Sequence, residues 1–282
     1  MRFTTVEHGG RTLVVSVDKA GEKVSPLSVG DINAVFRGER YTAAGPQISL
    51  SAVKLKAPVP LPLRNIMCVG KNYHEHAKEF SASGFDSSST GAADAIPTAP
   101  IIFTKVPQSV IGPDEPIRYP TGVSEQLDYE AELAVIIGKG GKGIAKADAL
   151  KHVWGYTIVN DVTARDLQAR HKQWFLGKSM DTFAPMGPWA VTADEVDLAT
   201  AGIRCWVNGE LRQDAKIADL IFDIPTLIST ISAGITLLPG DIIATGTPAG
   251  VGIGFKPPKF LKPGDVIAME VDGIGRLSNP VG

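Results

Sequence analysis

Glycine and proline divide this chain into many short apolar runs. The 282 residues include 30 Gly and 20 Pro, which are spread along the whole sequence rather than gathered in a linker. Such punctuation is typical of short β-strands joined by turns, because both residue types interrupt regular elements and favour turn conformations. Strands do not alternate with helices of ordinary length, which disfavours a doubly wound parallel sheet. We therefore predict an α+β fold that is mainly antiparallel β with a few packed helices.

Candidate strands and helices follow from local patterns. The β-rich runs bounded by turn residues include 13–17, 65–69, 101–104, 134–137, 156–159, 203–207 and 242–245. Asn208-Gly209 predicts a two-residue hairpin. Thr163 and Asp166 have the spacing of a capping box, which predicts a helix from there toward residue 171. A second helix is predicted over 226–233.

A proline-rich stretch suggests a domain boundary. Residues 57–62 read Ala-Pro-Val-Pro-Leu-Pro, and proline cannot donate to a β-ladder and favours an extended connection. We predict a small β-rich N-terminal domain over 1–60 and a larger domain over 64–282.

Composition excludes several classes of protein. The 28 basic and 30 acidic side chains give a net charge of −2, which argues against a nucleic-acid-binding protein. Apolar runs fall short of the roughly 18–20 residues of a membrane span, and the first residues lack the pattern of a secretory signal. Cys68 and Cys205 form no CxxC pair and are expected to be reduced and buried. A cytoplasmic location is the expectation.

The stretch 127–137 carries acidic residues at alternate positions. In a strand, its odd-numbered residues would form one apolar face, while Asp128, Glu130 and Glu132 would point the other way. Glu130 and Glu132 would lie roughly 7 Å apart. Two carboxylates held together repel each other unless one is protonated or a cation lies between them. A solvent-facing side of an edge strand is the alternative interpretation.

A third carboxylate follows the next candidate strand. Asp161 comes directly after 156–159 and before the predicted helix, where it could be an oxygen ligand or simply a turn residue. Three carboxylates with waters suit Mg²⁺, Mn²⁺ or Ca²⁺, whereas the sequence offers no Cys/His set for zinc.

The segment 81–99 is rich in Ser, Ala and Gly and poor in core-forming residues. It is expected to be a surface loop, serving either as a lid over a site or as a plain insertion.

These motifs together resemble the fumarylacetoacetate hydrolase superfamily. The matching segments are 69–73 (VGKNY) with His76 and Glu79, 128–133 (DYEAEL), 160–166 (NDVTARD), 177–179 (GKS), 208–210 (NGE) and 240–252. The resemblance covers the chain from about residue 64 onward. It implies a mixed β-sandwich or roll of the fumarylacetoacetase C-terminal domain type, preceded by a variable N-terminal domain.

The resemblance also implies roles for individual residues. Glu130, Glu132 and Asp161 would be the metal ligands, in agreement with the strand argument, and the metal would be Mg²⁺ or Mn²⁺, with Ca²⁺ as a further option. The remaining roles fall on two sets: catalytic residues His76, Glu79 and Lys178, and substrate-binding residues Tyr73, Lys105, Gly246 and Thr247. The i, i+3 spacing of His76 and Glu79 places both on one face of a helical turn, so that Glu79 can orient the imidazole of a water-activating dyad. In the family, the segment after this dyad closes over the substrate, which favours the lid interpretation of 81–99.

The function implied by this resemblance is metal-dependent hydrolysis of a carbon–carbon bond in a β-diketo acid of the acylpyruvate or fumarylpyruvate type. The alternative is decarboxylation or keto–enol tautomerisation of a 2-oxo dicarboxylate such as oxaloacetate, because all these reactions need a stabilised enolate. A non-catalytic metal-binding protein is a third hypothesis, which the presence of both the dyad and Lys178 disfavours. The expected partners are a small-molecule substrate and a second copy of the chain in a homodimer, with no nucleic acid and no membrane.

Overall fold

The fold is known from a computed structural model that describes residues 1–86 and 95–282. Strands dominate it, and within these ranges their bounds are β1 Arg2–His8, β2 Arg11–Val17, β3 Lys23–Pro26, β4 Ile48–Ser49, β5 Lys54–Leu55, β6 Ile66–Gly70, β7 Ile101–Lys105, β8 Val110–Ile111, β9 Leu127–Asp128, β10 Ala131–Ile137, β11 Val153–Asn160, β12 Thr163–Ala164, β13 Ala184–Thr192, β14 Gly202–Val207, β15 Glu210–Lys216, β16 Ile242–Ala244, β17 Val266–Val271 and β18 Gly275–Pro280. The α-helices are α1 Ile32–Phe36, α2 His74–Ala82, α3 Arg165–His171, α4 Phe175–Lys178 and α5 Ile224–Ser232.

Three sheets are formed by the described strands. The largest has 12 strands, ten of them in the order β4-β3-β2-β1-β13-β11-β10-β16-β6-β7, with β5 beside β1 and β8 beside β13. Its pairs are antiparallel except for β16 with β6 and β13 with β8. A 4-stranded sheet has the order β15-β14-β17-β18, and β9 and β12 form a two-stranded ladder. The prediction of a mainly β, mostly antiparallel fold is confirmed.

Strand β10 separates two layers of the core. Leu133 and Val135 pack into the main hydrophobic cluster, which also contains residues of the four-stranded sheet and of α5. Ala134 and Ile136 point to the other side, into a cluster with α1 and the N-terminal strands. The predicted alternation of 127–137 is therefore correct for its apolar residues, because successive side chains of a strand leave it on opposite faces.

Two local predictions are corrected. The acidic segment is interrupted at 129–130, so that Asp128 belongs to β9 in the small ladder and Glu132 to β10 in the large sheet. Thr163 does not cap α3: it lies in β12, and its hydroxyl donates to the carbonyl of Asp161 at 2.9 Å. The residue that precedes the helix is Ala164, without a capping side chain. Thr163 pairs with Asp128 in the β9–β12 ladder, so it is part of a strand and the helix begins only after it.

The strands before and after residue 60 share one sheet, because β1 pairs with β13 through Phe3 and Ala190. The division into domains at 1–60 and 64–282 stays a prediction. Among the described helices, none is long and apolar enough to cross a membrane. The predicted loop 81–99 begins inside α2, which extends to Ala82, and its central residues 87–94 lie outside the described part of the chain.

Candidate functional site

Three carboxylates meet where β10 begins and β11 ends. Ala131 pairs with Asn160 in the antiparallel ladder, so Glu130 and Asp161 are neighbours, and the backbone N–H of Asp161 donates to the carbonyl of Glu130 at 2.9 Å. Glu132 is the second residue of β10. Each of Glu130, Glu132 and Asp161 offers one oxygen atom within 4.8 Å of the others, and all three residues are buried. The solvent-facing alternative for this side of the strand is therefore wrong.

Three basic side chains reach into the same cluster. Lys178, at the end of α4, donates to Glu130 at 2.9 Å and to Asp161 at 2.7 Å. Lys105, at the end of β7, donates to Asp161 at 2.6 Å and to the carbonyl of Val162. The Nη1 atom of Arg165 lies 2.7 Å from Glu130, and its Nε donates to Asp128.

The compensation of charge is uneven. Burial raises the pKa of Glu130, but the positive charges of Lys178 and Arg165 outweigh that effect and lower it to about 2. Burial and the negative charges of Asp161 and Glu130 raise the pKa of Glu132. Glu132 accepts a hydrogen bond from the backbone N–H of Gly246, and within the described residues no Lys or Arg forms an ion pair with it. The cluster thus has an excess of negative charge at Glu132.

These residues fit a divalent cation. The donor set consists of carboxylate oxygens without Cys or His, which is the chemistry of Mg²⁺, Mn²⁺ and Ca²⁺ sites. A cation among the three oxygens would also offset the uncompensated charge at Glu132. Asp128 is a poorer ligand despite its burial, because both of its oxygens already accept hydrogen bonds, from the backbone of 252–253 and from Arg165.

The predicted dyad lies on the buried face of α2. The Nδ1 atom of His76 is 3.1 Å from Oε2 of Glu79, and Oε1 of Glu79 accepts a hydrogen bond from the backbone N–H of Gly250. Because a carboxylate only accepts, His76 donates from Nδ1, which leaves Nε2 available as an acceptor. Gly254 is needed here, since a Cβ atom at that position would approach the carboxylate of Glu79 to 1.7 Å. His74, two residues before His76, is exposed.

A narrow pocket connects the dyad with the carboxylate cluster. Its free space is only about 10 Å³, room for about one water-sized sphere, so side chains must shift to admit a substrate. The walls combine aromatic with polar and charged side chains, and they consist of Val69, Gly70, Lys71, His76, Phe80, Phe103, Glu130, Arg165, Gln168, Trp174, Lys178 and Thr247. An open groove of about 930 Å³ beside residues 113–116 is lined by none of the predicted site residues among the described ones.

The predicted substrate-binding residues are distributed unevenly around this pocket. Thr247 lines it, and its hydroxyl accepts from Gln213 at 2.7 Å. Gly246 has a φ of 102°, and a Cβ atom there would lie 2.7 Å from the side chain of Asn72. Lys105 contacts Asp161 of the cluster but does not line the pocket. Tyr73 lines a different cleft, and its buried hydroxyl has no hydrogen-bond partner.

Two charged residues of the pocket, Arg165 and Lys71, were not predicted as site residues from the sequence. Arg165 is 1% exposed, and its Nη2 atom is buried without a partner, although Nε and Nη1 are engaged. Lys71 is buried in an ion pair with Asp86 at 2.8 Å. Only their positions in the sequence could have indicated these two residues. Arg165 begins the helix that follows Asp161, and Lys71 lies between a strand and α2.

Comparison with known proteins agrees with this geometry. Residues 65–282 match the family described as fumarylacetoacetate (FAA) hydrolase, C-terminal. The chain belongs to the fumarylacetoacetate hydrolase family. Within this family, it is 54% identical to the oxaloacetate tautomerase YisK of Bacillus subtilis (strain 168), in an alignment that covers 100% of both proteins.

Solved structures of the fumarylacetoacetate hydrolase family share the whole fold. A fumarylacetoacetate hydrolase from Exiguobacterium antarcticum superposes with a TM-score of 0.86 at 42% identity, covering 100% of this chain and 99% of that one. A 2-hydroxyhepta-2,4-diene-1,7-dioate isomerase from Mycobacterium marinum gives a TM-score of 0.81 at 34% identity, covering 100% and 98%. The protein is thus an enzyme of this superfamily, and the predicted membership is confirmed. Hydrolysis of a carbon–carbon bond is supported only at the level of the superfamily.

Proposed function

We propose that this enzyme interconverts the keto and enol forms of oxaloacetate. The observation that carries the proposal is the contact of His76 with Glu79 beside a pocket that Lys178 and Glu130 of the carboxylate triad also line. The chain is in addition similar over its full length to a protein named oxaloacetate tautomerase. This function is the alternative that the sequence left beside hydrolysis. It requires only movement of a proton between C3 and the 2-oxo oxygen.

His76 carries the proton in this mechanism. Its Nε2 atom accepts the proton from C3 of the keto form, the electron pair of the broken C–H bond forms the C2–C3 double bond, and the 2-oxo oxygen gains the negative charge. The same proton then passes to that oxygen, which gives the enol. Glu79 positions the ring by accepting from Nδ1 at 3.1 Å.

Lys178 stabilises the charge that develops on the oxygen. Its ammonium group lies in the pocket wall with Glu130 and Asp161 as fixed partners, so it needs no reorganisation during the reaction. Lys105 donates to the other carboxylate oxygen of Asp161. Thr247 and the backbone of Gly246 border the place where the C1 carboxylate would bind.

Glu130, Glu132 and Asp161 would hold a divalent cation, Mg²⁺ or Mn²⁺ with Ca²⁺ as a further option, whose chemistry is Lewis-acid polarisation of the 2-oxo group. The buried, oxygen-only donor set and the excess charge at Glu132 support this assignment. The identity of the ion is part of the proposal.

A tautomerase assay tests the function directly. Enolic oxaloacetate is dissolved in a weakly buffered solution with Mg²⁺ or Mn²⁺, and the loss of enol absorbance is followed with and without enzyme. Malate dehydrogenase, which consumes the keto form, provides an independent coupled readout. We expect a rate well above the spontaneous one and no stoichiometric pyruvate. A rate equal to the spontaneous one with both ions would overturn the proposal.

Hydrolysis of an acylpyruvate is the second candidate. The structural similarity to a fumarylacetoacetate hydrolase over nearly its full length favours it, and a His76 that accepts a proton from C3 can equally accept one from water. Pyruvate release from a panel of acylpyruvates, measured beside the tautomerase assay, separates the two activities. A cytoplasmic location and a homodimer complete the proposal.

A further inference from the structure

Lys71 is held in the pocket by a constrained backbone. It follows β6 with a φ of 55°, a conformation that residues with a side chain seldom adopt and that usually persists only where the surroundings impose it. The residue before it, Gly70, has no room for a side chain, because a Cβ atom would lie 2.3 Å from the ring of Trp174. The side chain of Lys71 is 2% exposed and lines the same pocket as His76.

The ammonium group of Lys71 is paired with a carboxylate from outside the carboxylate cluster. Its Nζ atom lies 2.8 Å from Oδ2 of Asp86, whose side chain is 3% exposed, and the hydroxyl of Ser81 donates to the same oxygen. A buried ammonium group requires an anionic partner, but the partner can be any carboxylate of suitable geometry. Asp86 follows α2, the helix that carries the dyad.

The other basic groups of the pocket are committed differently. Lys178 donates to Glu130 and Asp161. Arg165 contacts Glu130 through Nη1 and Asp128 through Nε, so both basic groups are tied to the carboxylate cluster, although Nη2 of Arg165 has no partner. Oxaloacetate has a carboxylate at each end. When its 2-oxo acid end lies at the cluster, the C4 carboxylate needs a cation on another wall of the pocket.

Building on the proposed tautomerisation, we propose that Lys71 binds the C4 carboxylate of the substrate and thereby selects dicarboxylates. Asp86 holds the ammonium group in place in the free enzyme, and the substrate carboxylate exchanges with it on binding. A charge-assisted hydrogen bond in a desolvated site corresponds to about a 10- to 100-fold difference in affinity. The enzyme therefore prefers oxaloacetate over its 4-methyl ester, which keeps the reacting carbons but lacks this charge.

Substrate selectivity tests the role of Lys71. KM and kcat are measured for oxaloacetate and for its 4-methyl ester. The proteins compared are the wild type, Lys71→Met and the double variant Lys71→Met/Asp86→Asn. The double variant removes both charges of the ion pair, so that Asp86 is not left as a buried carboxylate without Lys71. We expect KM for oxaloacetate to rise about 10- to 100-fold in both variants, with little change for the ester. Lys78→Met, which removes an exposed lysine from α2, is the matched control and should change neither value. Retained selectivity in the double variant would overturn the proposal.

Asp86→Asn tests the exchange itself. If Asp86 competes with the substrate, its neutralisation lowers KM for oxaloacetate several-fold and leaves the ester unchanged. An equal effect on both substrates would show that Asp86 is only structural.

Inert ligands separate this inference from the proposed function. Malate and lactate share the 2-hydroxy acid end, and only malate has the C4 carboxylate. Calorimetry should show malate binding weakened about 10- to 100-fold by Lys71→Met and lactate binding unchanged. If the wild type fails to tautomerise oxaloacetate, the proposed function falls, while this comparison still decides the role of Lys71: equal weakening of both ligands refutes it.

Discussion

Two isosteric substitutions two residues apart should have opposite effects on the metal-free protein. Glu130→Gln removes a carboxylate that Lys178 and Arg165 compensate, at 2.9 and 2.7 Å. Glu132→Gln removes a carboxylate that is buried beside two like charges, and the new amide oxygen can still accept from the backbone of Gly246. In a chelator, the first variant should melt below the wild type and the second above it.

The size of the first effect follows from the environment of Glu130. Its pKa is lowered from 4.5 to about 2, which corresponds to about 3 kcal/mol in favour of the charged form in the fold. Breaking a buried ion pair from one side typically costs about 3–5 kcal/mol, in agreement with this value. For a chain of this size, about 2–4 °C per kcal/mol predicts a melting midpoint lower by about 6–12 °C. Glu132→Gln should raise the midpoint by a few degrees.

Calorimetric melts with EDTA and with Mn²⁺ or Mg²⁺ provide the assay. An ion at about 100 times its dissociation constant stabilises a fold by about 2.7 kcal/mol, which raises the wild-type midpoint by about 5–10 °C. Both variants should lose most of that gain. If the two substitutions lower the midpoint equally in EDTA, the charges of Glu130 and Glu132 are compensated to the same extent, which contradicts the prediction. If both variants retain the full gain from the ion, the ligand assignment is incorrect.

Three further predictions concern the dyad, the turn before Thr247 and the assembly. His76→Ala should reduce tautomerisation by about 10²–10⁴-fold, while Glu75→Gln, on the exposed face of the same helix, should leave it unchanged in the enol absorbance assay. Gly246→Ala, which forces a Cβ atom against Asn72 at a φ of 102°, should lower the melting midpoint measured by circular dichroism. Light scattering at micromolar concentration should give the mass of a dimer, and a single monomeric species would contradict that expectation.

Sequence periodicity was sufficient to predict the two faces of the acidic strand. The separation of Leu133 and Val135 from Ala134 and Ile136 depends only on the alternation of side chains along a strand. The environment of the polar side could not be obtained in this way. Glu132 lies in a buried cluster with Asp161 because β11 pairs with β10, and no local pattern reports that pairing.

Buried charges were the least predictable part of the site. Lysine and arginine are residue types that usually lie on the surface. Lys71 is buried beside Asp86, 15 positions away, and Arg165 beside Asp128, 37 positions away. Thr163 shows the converse case, in which a helix-capping pattern was overridden by strand pairing with Asp128. Local propensity gives way wherever long-range pairing satisfies the same backbone groups.

The position of β1 inside the large sheet has a consequence for biosynthesis. One edge of β1 pairs with β2, which follows it immediately. The other edge pairs with β5 at Val6 and Glu7, but with β13 at Arg2 and Phe3. During translation, the beginning of that edge, at Arg2 and Phe3, therefore stays unpaired until more than half of the chain has left the ribosome. Such high contact order slows folding, and an unpaired strand edge can recruit another nascent chain. Chaperone dependence during expression should accordingly diminish in variants that shield this edge, even where the finished enzyme is no more stable.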